Sequence, residues 1–158
     1  MKRGEKMLKD ILLLEKQLCF RLYQTSRNMS RLYQPFLSKF HLTYPQYIVM
    51  LVLFEHEMID FKELSTVVDL KTGTLTPIIQ KLEKTGYIFK IPNKDDKRRI
   101  NIEITKKGRD LKKKIIEVPI EISKLLPMEK DAYITLVQEL DSLKELIKNG
   151  ELITKENE

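Results

Sequence analysis

Apolar side chains recur at three-, four- and seven-residue steps from Leu8 through Ile11, Leu12, Leu18, Cys19, Leu22, Met29 and Leu32. That spacing lines one face of a long amphipathic helix. Pro35 is expected to kink or restart it, and Phe36, Leu37 and Phe40 carry the apolar theme to His41. Thr43-Tyr44-Pro45-Gln46 reads as a capping box with an early proline, so a buried helix should follow to about Glu57. Asp60-Phe61-Lys62-Glu63 repeats the capping logic and opens a short helix from 62 to about 68. In the turn Leu70-Lys71-Thr72-Gly73-Thr74, Thr72 is the expected N-cap of the next helix. Leu75, Ile78, Ile79 and Leu82 give that helix a core face, and Thr74, Thr76, Gln80, Lys81 and Lys84 give it a polar one. Gly86 is placed to stop it.

The period then changes. Tyr87-Ile88-Phe89-Lys90-Ile91 reads as a strand and residues 92–99 as a charged turn. Ile100, Ile102 and Ile104 alternate with Asn101 and Glu103 in a second strand. Thr105 can cap a basic helix containing Lys106, Lys107, Arg109 and the lysines from 112 to 114, interrupted at Pro119 and Pro127. A last helix, from about 128 to 148, carries Tyr133, Leu136, Val137, Leu140, Leu143 and Ile147 on one stripe, with residues 151–158 expected as a frayed tail.

The fold class is therefore mainly α with a small β-hairpin. Short helix, tight turn, helix and hairpin spell a winged helix-turn-helix. The expected division is an N-terminal helical dimerisation segment at 1–42, the winged helix-turn-helix at 43–105 and a C-terminal helical dimerisation segment at 106–158. The central unit is too small to bury the stripes of both flanks, and an identical chain is the economical partner. A twofold dimer would present two recognition helices about one DNA turn apart.

Charge narrows the choice of partner. The 158 residues carry 29 Lys plus Arg against 23 Asp plus Glu, a net charge of +6, which favours an anionic partner with nucleic acid first and a membrane surface second. One Cys excludes a disulfide framework or a multi-thiolate metal site within one chain. The longest apolar run, 47–54, is too short to span a bilayer, and Ile11-Leu12-Leu13-Leu14 is too short for a signal peptide. No membrane association is expected, and a free thiol without an export signal reads as cytoplasmic.

A hydroxyl-rich helix followed by a basic hairpin suits DNA. Short hydroxyls reach phosphates and thymine methyls, Gln80 can pair with adenine, and Lys81 neutralises phosphate. Lys94-Asp95-Asp96-Lys97-Arg98-Arg99 concentrates cations on a projecting tip, where an arginine can enter the narrow minor groove. Taken alone, either feature is equally an ordinary solvated surface.

These segments make the chain recognisable. Leu82-Glu83-Lys84-Thr85-Gly86-Tyr87-Ile88, Asp96-Lys97-Arg98 and Ile104-Thr105-Lys106-Lys107-Gly108 resemble the MarR family of bacterial transcription regulators, and the likeness extends over nearly the whole chain. Gln17-Leu18-Cys19-Phe20, Leu42-Thr43-Tyr44-Pro45-Gln46-Tyr47 and Gly73-Thr74-Leu75-Thr76-Pro77 are most similar to its one-cysteine, organic-peroxide-sensing subgroup of OhrR, SarZ and MgrA. The resemblance implies a homodimer on the inverted repeat of a double-stranded operator. It puts Thr72, Thr74, Thr76, Pro77, Gln80 and Lys81 at the recognition helix, and Lys94, Asp96, Lys97, Arg98 and Arg99 at the wing. Arg98 is then the wing arginine and Asp96 the residue that orients the wing. Lys71 departs from the pattern, because the subgroup usually carries an acidic residue there.

Two readings of Cys19 stand open. On its helix stripe it is a small buried hydrophobe. By resemblance it is a peroxide-sensing thiolate, with Tyr33 and Tyr44 as hydrogen-bond donors and Tyr23 as a further pocket wall or an interface aromatic. Cys19 and Tyr33 are fourteen residues apart. That is about 21 Å along a straight helix, so sensing requires two first helices packed antiparallel across a dimer axis. With no second Cys, a sulfenic acid would end as a mixed disulfide with a small thiol, a cyclic sulfenamide or an over-oxidised acid.

The remaining candidates are weak. His41 and His56, fifteen residues apart, make a poor zinc pair. The lysines from 106 to 114 form a phosphate-contacting or solvated face more readily than a membrane surface. No phosphate loop, catalytic carboxylate pair or Ser-His constellation is present, so no enzyme, metal or cofactor is expected. Two other functions compete with peroxide sensing: a regulator that answers to a small aromatic ligand, and a helical interaction protein that does not bind DNA.

Overall fold

The computed structural model describes residues 12–94 and 96–156. Leu8 and Ile11, at the start of the first apolar stripe, lie outside the described residues, as do Asp95 at the hairpin tip and Asn157 and Glu158 in the tail. Two compact units are present, Met1–Pro119 and Ile120–Glu158.

In the first unit a 3₁₀ turn, Leu14–Lys16, precedes α1, Leu18–Ser38. The first helix therefore begins at Leu18 and does not run through Leu12. Gln17 is extended at φ −80°, ψ 120° and interrupts the helical run. The consecutive leucines Leu12, Leu13 and Leu14 are exposed and cannot share one helical face. Pro35 neither ends nor restarts α1. The carbonyl it leaves without an amide belongs to exposed Arg31, where water can serve it.

Helix α2, Tyr44–His56, opens with the expected capping box: the Thr43 side chain accepts from the Gln46 amide and the Thr43 amide donates to Gln46 Oε1 at 2.8 Å. It buries Tyr47, Val49, Met50, Leu53 and Phe54, as an almost uniformly apolar helix must. Three elements follow: β1, Met58–Asp60; α3, Phe61–Val67, capped by Asp60; and α4, Thr72–Lys84. Thr72 is the first residue of α4 and not its cap. Lys71 stands at the N-cap with no side-chain bond, and the Thr72 carbonyl accepts from Thr76 Oγ1 at 2.8 Å. Gly86 takes φ +77° after the helix, a conformation that costs a β-carbon-bearing residue energy.

Strands β2, Ile88–Pro92, and β3, Ile100–Ile104, form the hairpin. The sheet has three antiparallel strands in the order β1-β3-β2, with Ile59 opposite Ile102 and Ile88 opposite Ile104. Thr105 then caps α5, Lys106–Ile115, by accepting from the Gly108 amide at 3.0 Å. Gly108 is needed for packing: a β-carbon there would lie 2.3 Å from the Tyr87 carbonyl oxygen and 2.6 Å from Ile104 Cγ1. Leu37, Leu42, Met50, Leu53, Leu64, Leu75, Ile79, Leu82, Ile102 and Ile104 make a core in which each is at most 2% exposed.

Helix α6, Glu117–Leu125, contains Pro119 and the junction of the two units. Helix α7, Lys130–Glu156, includes residues 151–156 of the tail expected to fray, and Asn157 and Glu158 lie outside the described residues. Its stripe Tyr133, Leu136, Val137, Leu140 and Ile147 is exposed, as are Leu18 and Tyr23 on α1. Among the described residues no helix is long and apolar enough to cross a membrane.

Candidate functional site

Helix α4 buries Leu75, Ile79 and Leu82 and leaves Thr72, Thr74, Pro77, Gln80 and Lys81 exposed, with Thr76 half-buried. The hydroxyl proton of Thr76 is committed to its own helix, which leaves its methyl and oxygen lone pairs for a partner. Pro77 presents a rigid apolar ring on the same exposed surface. Between this face and the hairpin lies a cleft of about 290 Å³ lined by Phe61, Thr72, Thr76, Ile79, Gln80, Lys90 and Ile100. Helix and wing thus border one groove.

The wing tip is organised by short polar bonds. The Arg98 amide donates to Asp96 Oδ1 at 2.9 Å, the Asp96 amide donates to Asn93 Oδ1 at 3.2 Å, and the Asn93 amide donates to the Arg99 carbonyl at 2.9 Å. Asp96 therefore holds Arg98 through its backbone, leaving the guanidinium free of that carboxylate. Lys94, Lys97 and Arg98 are exposed. Arg99 differs from the other tip cations: its Nε donates to Asp60 Oδ2 at 3.1 Å. Asp60, which the sequence marks only as a helix cap, is buried, and the Arg99 bond holds its carboxyl below the usual carboxylate range against the opposing effect of burial.

The basic helix α5 is only partly a solvated face. Lys107 Nζ donates to the Thr85 carbonyl at 2.6 Å and lies 4.9 Å from the Tyr87 ring centre, and Lys112 Nζ donates to the Phe54 carbonyl at 2.6 Å. Both lysines close helix C-termini, where cations suit the exposed carbonyls. Arg109 donates to the Ile104 carbonyl at 3.1 Å.

Cys19 is exposed in the single chain. Cys19 and Tyr33 both lie in the unbroken helix α1, at opposite ends of a rise of about 21 Å. Tyr33 and Tyr44 are brought together, with ring centres 5.0 Å apart in an edge-on arrangement. A third ring joins them. Tyr47 lies 5.7 Å from Tyr33 and 6.4 Å from Tyr44. Its i, i+3 spacing from Tyr44 was the available signal, hidden in an apolar run that reads as core. Burial pushes the Tyr44 and Tyr47 hydroxyls above their ordinary pKa, so both stay protonated even further into alkaline solution than a free tyrosine. Tyr23 is exposed and receives a hydrogen bond from Arg27 at 3.0 Å. Among the described residues no three His, Cys, Asp or Glu side chains converge on a metal-sized site.

Residues 31–115 match the family described as transcriptional regulator SarA/Rot. The chain belongs to this family. It is 41% identical over 110 residues to the organic hydroperoxide resistance transcriptional regulator of Bacillus subtilis (strain 168), covering 70% of this chain and 75% of that protein. It is 38% identical over 129 residues to SarZ of Staphylococcus saprophyticus, covering 82% and 88%. The structure of reduced AbfR bound to DNA, a protein of Staphylococcus epidermidis, has a TM-score of 0.77 and 30% identity, covering 94% of this chain and 98% of that one. The expected MarR-type winged-helix regulator is thereby met in fold and class. As a SarA/Rot protein the chain is a transcriptional regulator and not an enzyme.

Proposed function

We propose that this SarA/Rot-family regulator is a homodimeric repressor that binds an inverted-repeat operator and leaves it when an organic hydroperoxide oxidises Cys19. Thr72, Thr74, Thr76, Pro77, Gln80 and Lys81 would face the major groove, and Arg98, flanked by Lys94 and Lys97, the minor groove. The exposed apolar stripes of α1 and α7 support a second copy as the covering surface. DNA in the AbfR complex supports the partner class.

The observation that carries the switch is the exposed Cys19 on the same helix as a half-buried, clustered Tyr33. Antiparallel first helices would bring Cys19 of one protomer to the tyrosine cluster of its partner. Phenolic donors would favour the thiolate. The thiolate sulfur attacks one peroxide oxygen, the O–O bond breaks, and the departing alkoxide takes a proton to leave as alcohol, giving Cys-SOH. A small thiol then condenses with the sulfenic acid to a mixed disulfide and water. An adduct of that size in a packed helix interface would shift the spacing of the two recognition helices. Comparing release of wild type and Cys19→Ser from operator DNA on peroxide addition tests the proposal, which expects only wild type to be released.

A second reading, response to a small aromatic ligand, draws support from the 290 Å³ cleft between α4 and the wing. Its volume is at the lower edge of small-molecule sites. Dissociation of Cys19→Ser by an aromatic acid, with no response to peroxide in wild type, would favour it.

A further inference from the structure

Asp60 stands where three elements meet. It is the last residue of β1, the N-cap of α3 and the register partner of Asn101 on β3. Its Oδ1 accepts from the Lys62 and Glu63 amides at 2.9 and 3.3 Å, which satisfies the helix end and leaves Oδ2 for something else. The side chain is only 8% exposed, so an unmatched Oδ2 would be costly. Arg99 Nε meets it from the wing at 3.1 Å.

Arg99 is itself built into the wing tip. Its amide donates to the Asp96 carbonyl and its own carbonyl accepts from the Asn93 amide, both at 2.9 Å. Its backbone thus belongs to the turn that presents Arg98, and its side chain belongs to the cap of α3. Apolar packing does not fill the space between: a cleft of about 560 Å³, lined by Asp60, Phe61, Lys62, Arg98, Arg99 and Ile100, separates wing tip from helix. The β1–β3 ladder reaches only to Asn101, so the described tip residues Asn93, Lys94 and 96–99 overhang the sheet. The Asp60–Arg99 bond is the polar tie across that cleft.

From this geometry we infer that Asp60 and Arg99 form a positioning strut, which sets the angle of the wing against the helix-turn-helix and so sets DNA affinity without either side chain touching DNA. The inference rests on the DNA-binding reading above. It also reassigns Arg99, which the sequence places among the DNA-contacting cations. A strut and a phosphate contact differ in what they do to salt dependence. Loss of a phosphate contact lowers the slope of log affinity against log salt by about 0.9, whereas loss of a strut leaves the slope unchanged.

The test is a double-mutant cycle with Asp60→Asn and Arg99→Gln, read by operator affinity at several salt concentrations and by hydrogen exchange of the wing amides in the DNA-free protein. Asparagine caps a helix as well as aspartate does, so α3 keeps its start. Arg99 is 56% exposed, so its replacement spares the core. Each single variant is expected to bind about three- to tenfold more weakly, with the double variant no worse than either, an unchanged salt slope and faster exchange at Arg98 and Arg99. A lower salt slope in Arg99→Gln beside normal affinity in Asp60→Asn would overturn the strut and make Arg99 a phosphate contact. Normal wing exchange in both variants would also overturn it. Failure of wild type to bind any duplex at low salt would instead remove the DNA-binding reading, and the exchange measurement would still decide whether the pair holds the wing.

Discussion

Tyr33 and Tyr44 meet edge-on with ring centres 5.0 Å apart, although one lies in α1 and the other opens α2. Two phenols from different helices are therefore held as one unit, with Tyr47 packed against both. Edge-to-face aromatic pairs contribute about 0.5–1.5 kcal/mol beyond the area they bury, enough to fix two rings relative to each other.

For the sensor, Tyr33→Phe and Tyr44→Phe should slow oxidation of Cys19 without abolishing it. Each removes one donor to the thiolate, worth about 1.5–3 kcal/mol for a bond to a charged group, and leaves the sulfur in place. Because both act on one charge, the double variant should be less impaired than the product of the two single effects. Stopped-flow measurement of sulfenic acid formation checks this. Unchanged rates in both single variants would detach the tyrosine cluster from the chemistry.

For the wing, Arg98→Ala should weaken operator binding by about 1–3 kcal/mol while leaving the thermal midpoint unchanged. Arg98 is exposed, and the turn around it is held by backbone bonds that alanine keeps. Fluorescence anisotropy beside thermal unfolding separates the two effects. Equal affinity in wild type and variant would remove the wing from recognition.

For the fold, Gly108→Ala should destabilise the protein by about 1–3 kcal/mol or more, because the new methyl would press on a backbone carbonyl that cannot rotate away. Urea unfolding measures it. A variant as stable as wild type would mean that α5 can slide away from Tyr87.

Acid should expose the Asp60 cap. Its carboxyl has a folded-state pKa below the usual carboxylate value, chiefly through the Arg99 bond. Its stabilisation is therefore fully present above the unfolded value of about 4 and is lost as pH falls through the folded value. Stability measured from pH 6 down to pH 3 should fall less steeply in Asp60→Asn than in wild type. Parallel curves would show that other carboxylates govern the acid limb.

What the sequence made legible follows from how local the signals are. The caps at Thr43, Asp60 and Thr105 each lie within four residues of the amides they serve, and each forms as read. Strand β1 was not legible. Three residues are too few to show a period, and Met58–Asp60 is extended because β3, about forty residues later, pairs with it. The Arg99–Asp60 bond was not legible for the same reason, since Asp60 lies 39 residues upstream and a run of tip cations looks uniform in one dimension. Tyr47 was absorbed into a run of core residues, which it also is.

The most direct measurement follows a fluorescent duplex from the region upstream of the chain's own coding sequence, bound at low salt and then treated with cumene hydroperoxide. Wild type should lose anisotropy and regain it after dithiothreitol reduces a mixed disulfide formed with added small thiol, whereas Cys19→Ser should bind equally well and stay bound throughout. Release of Cys19→Ser by the peroxide as readily as wild type would contradict a thiol switch at this position.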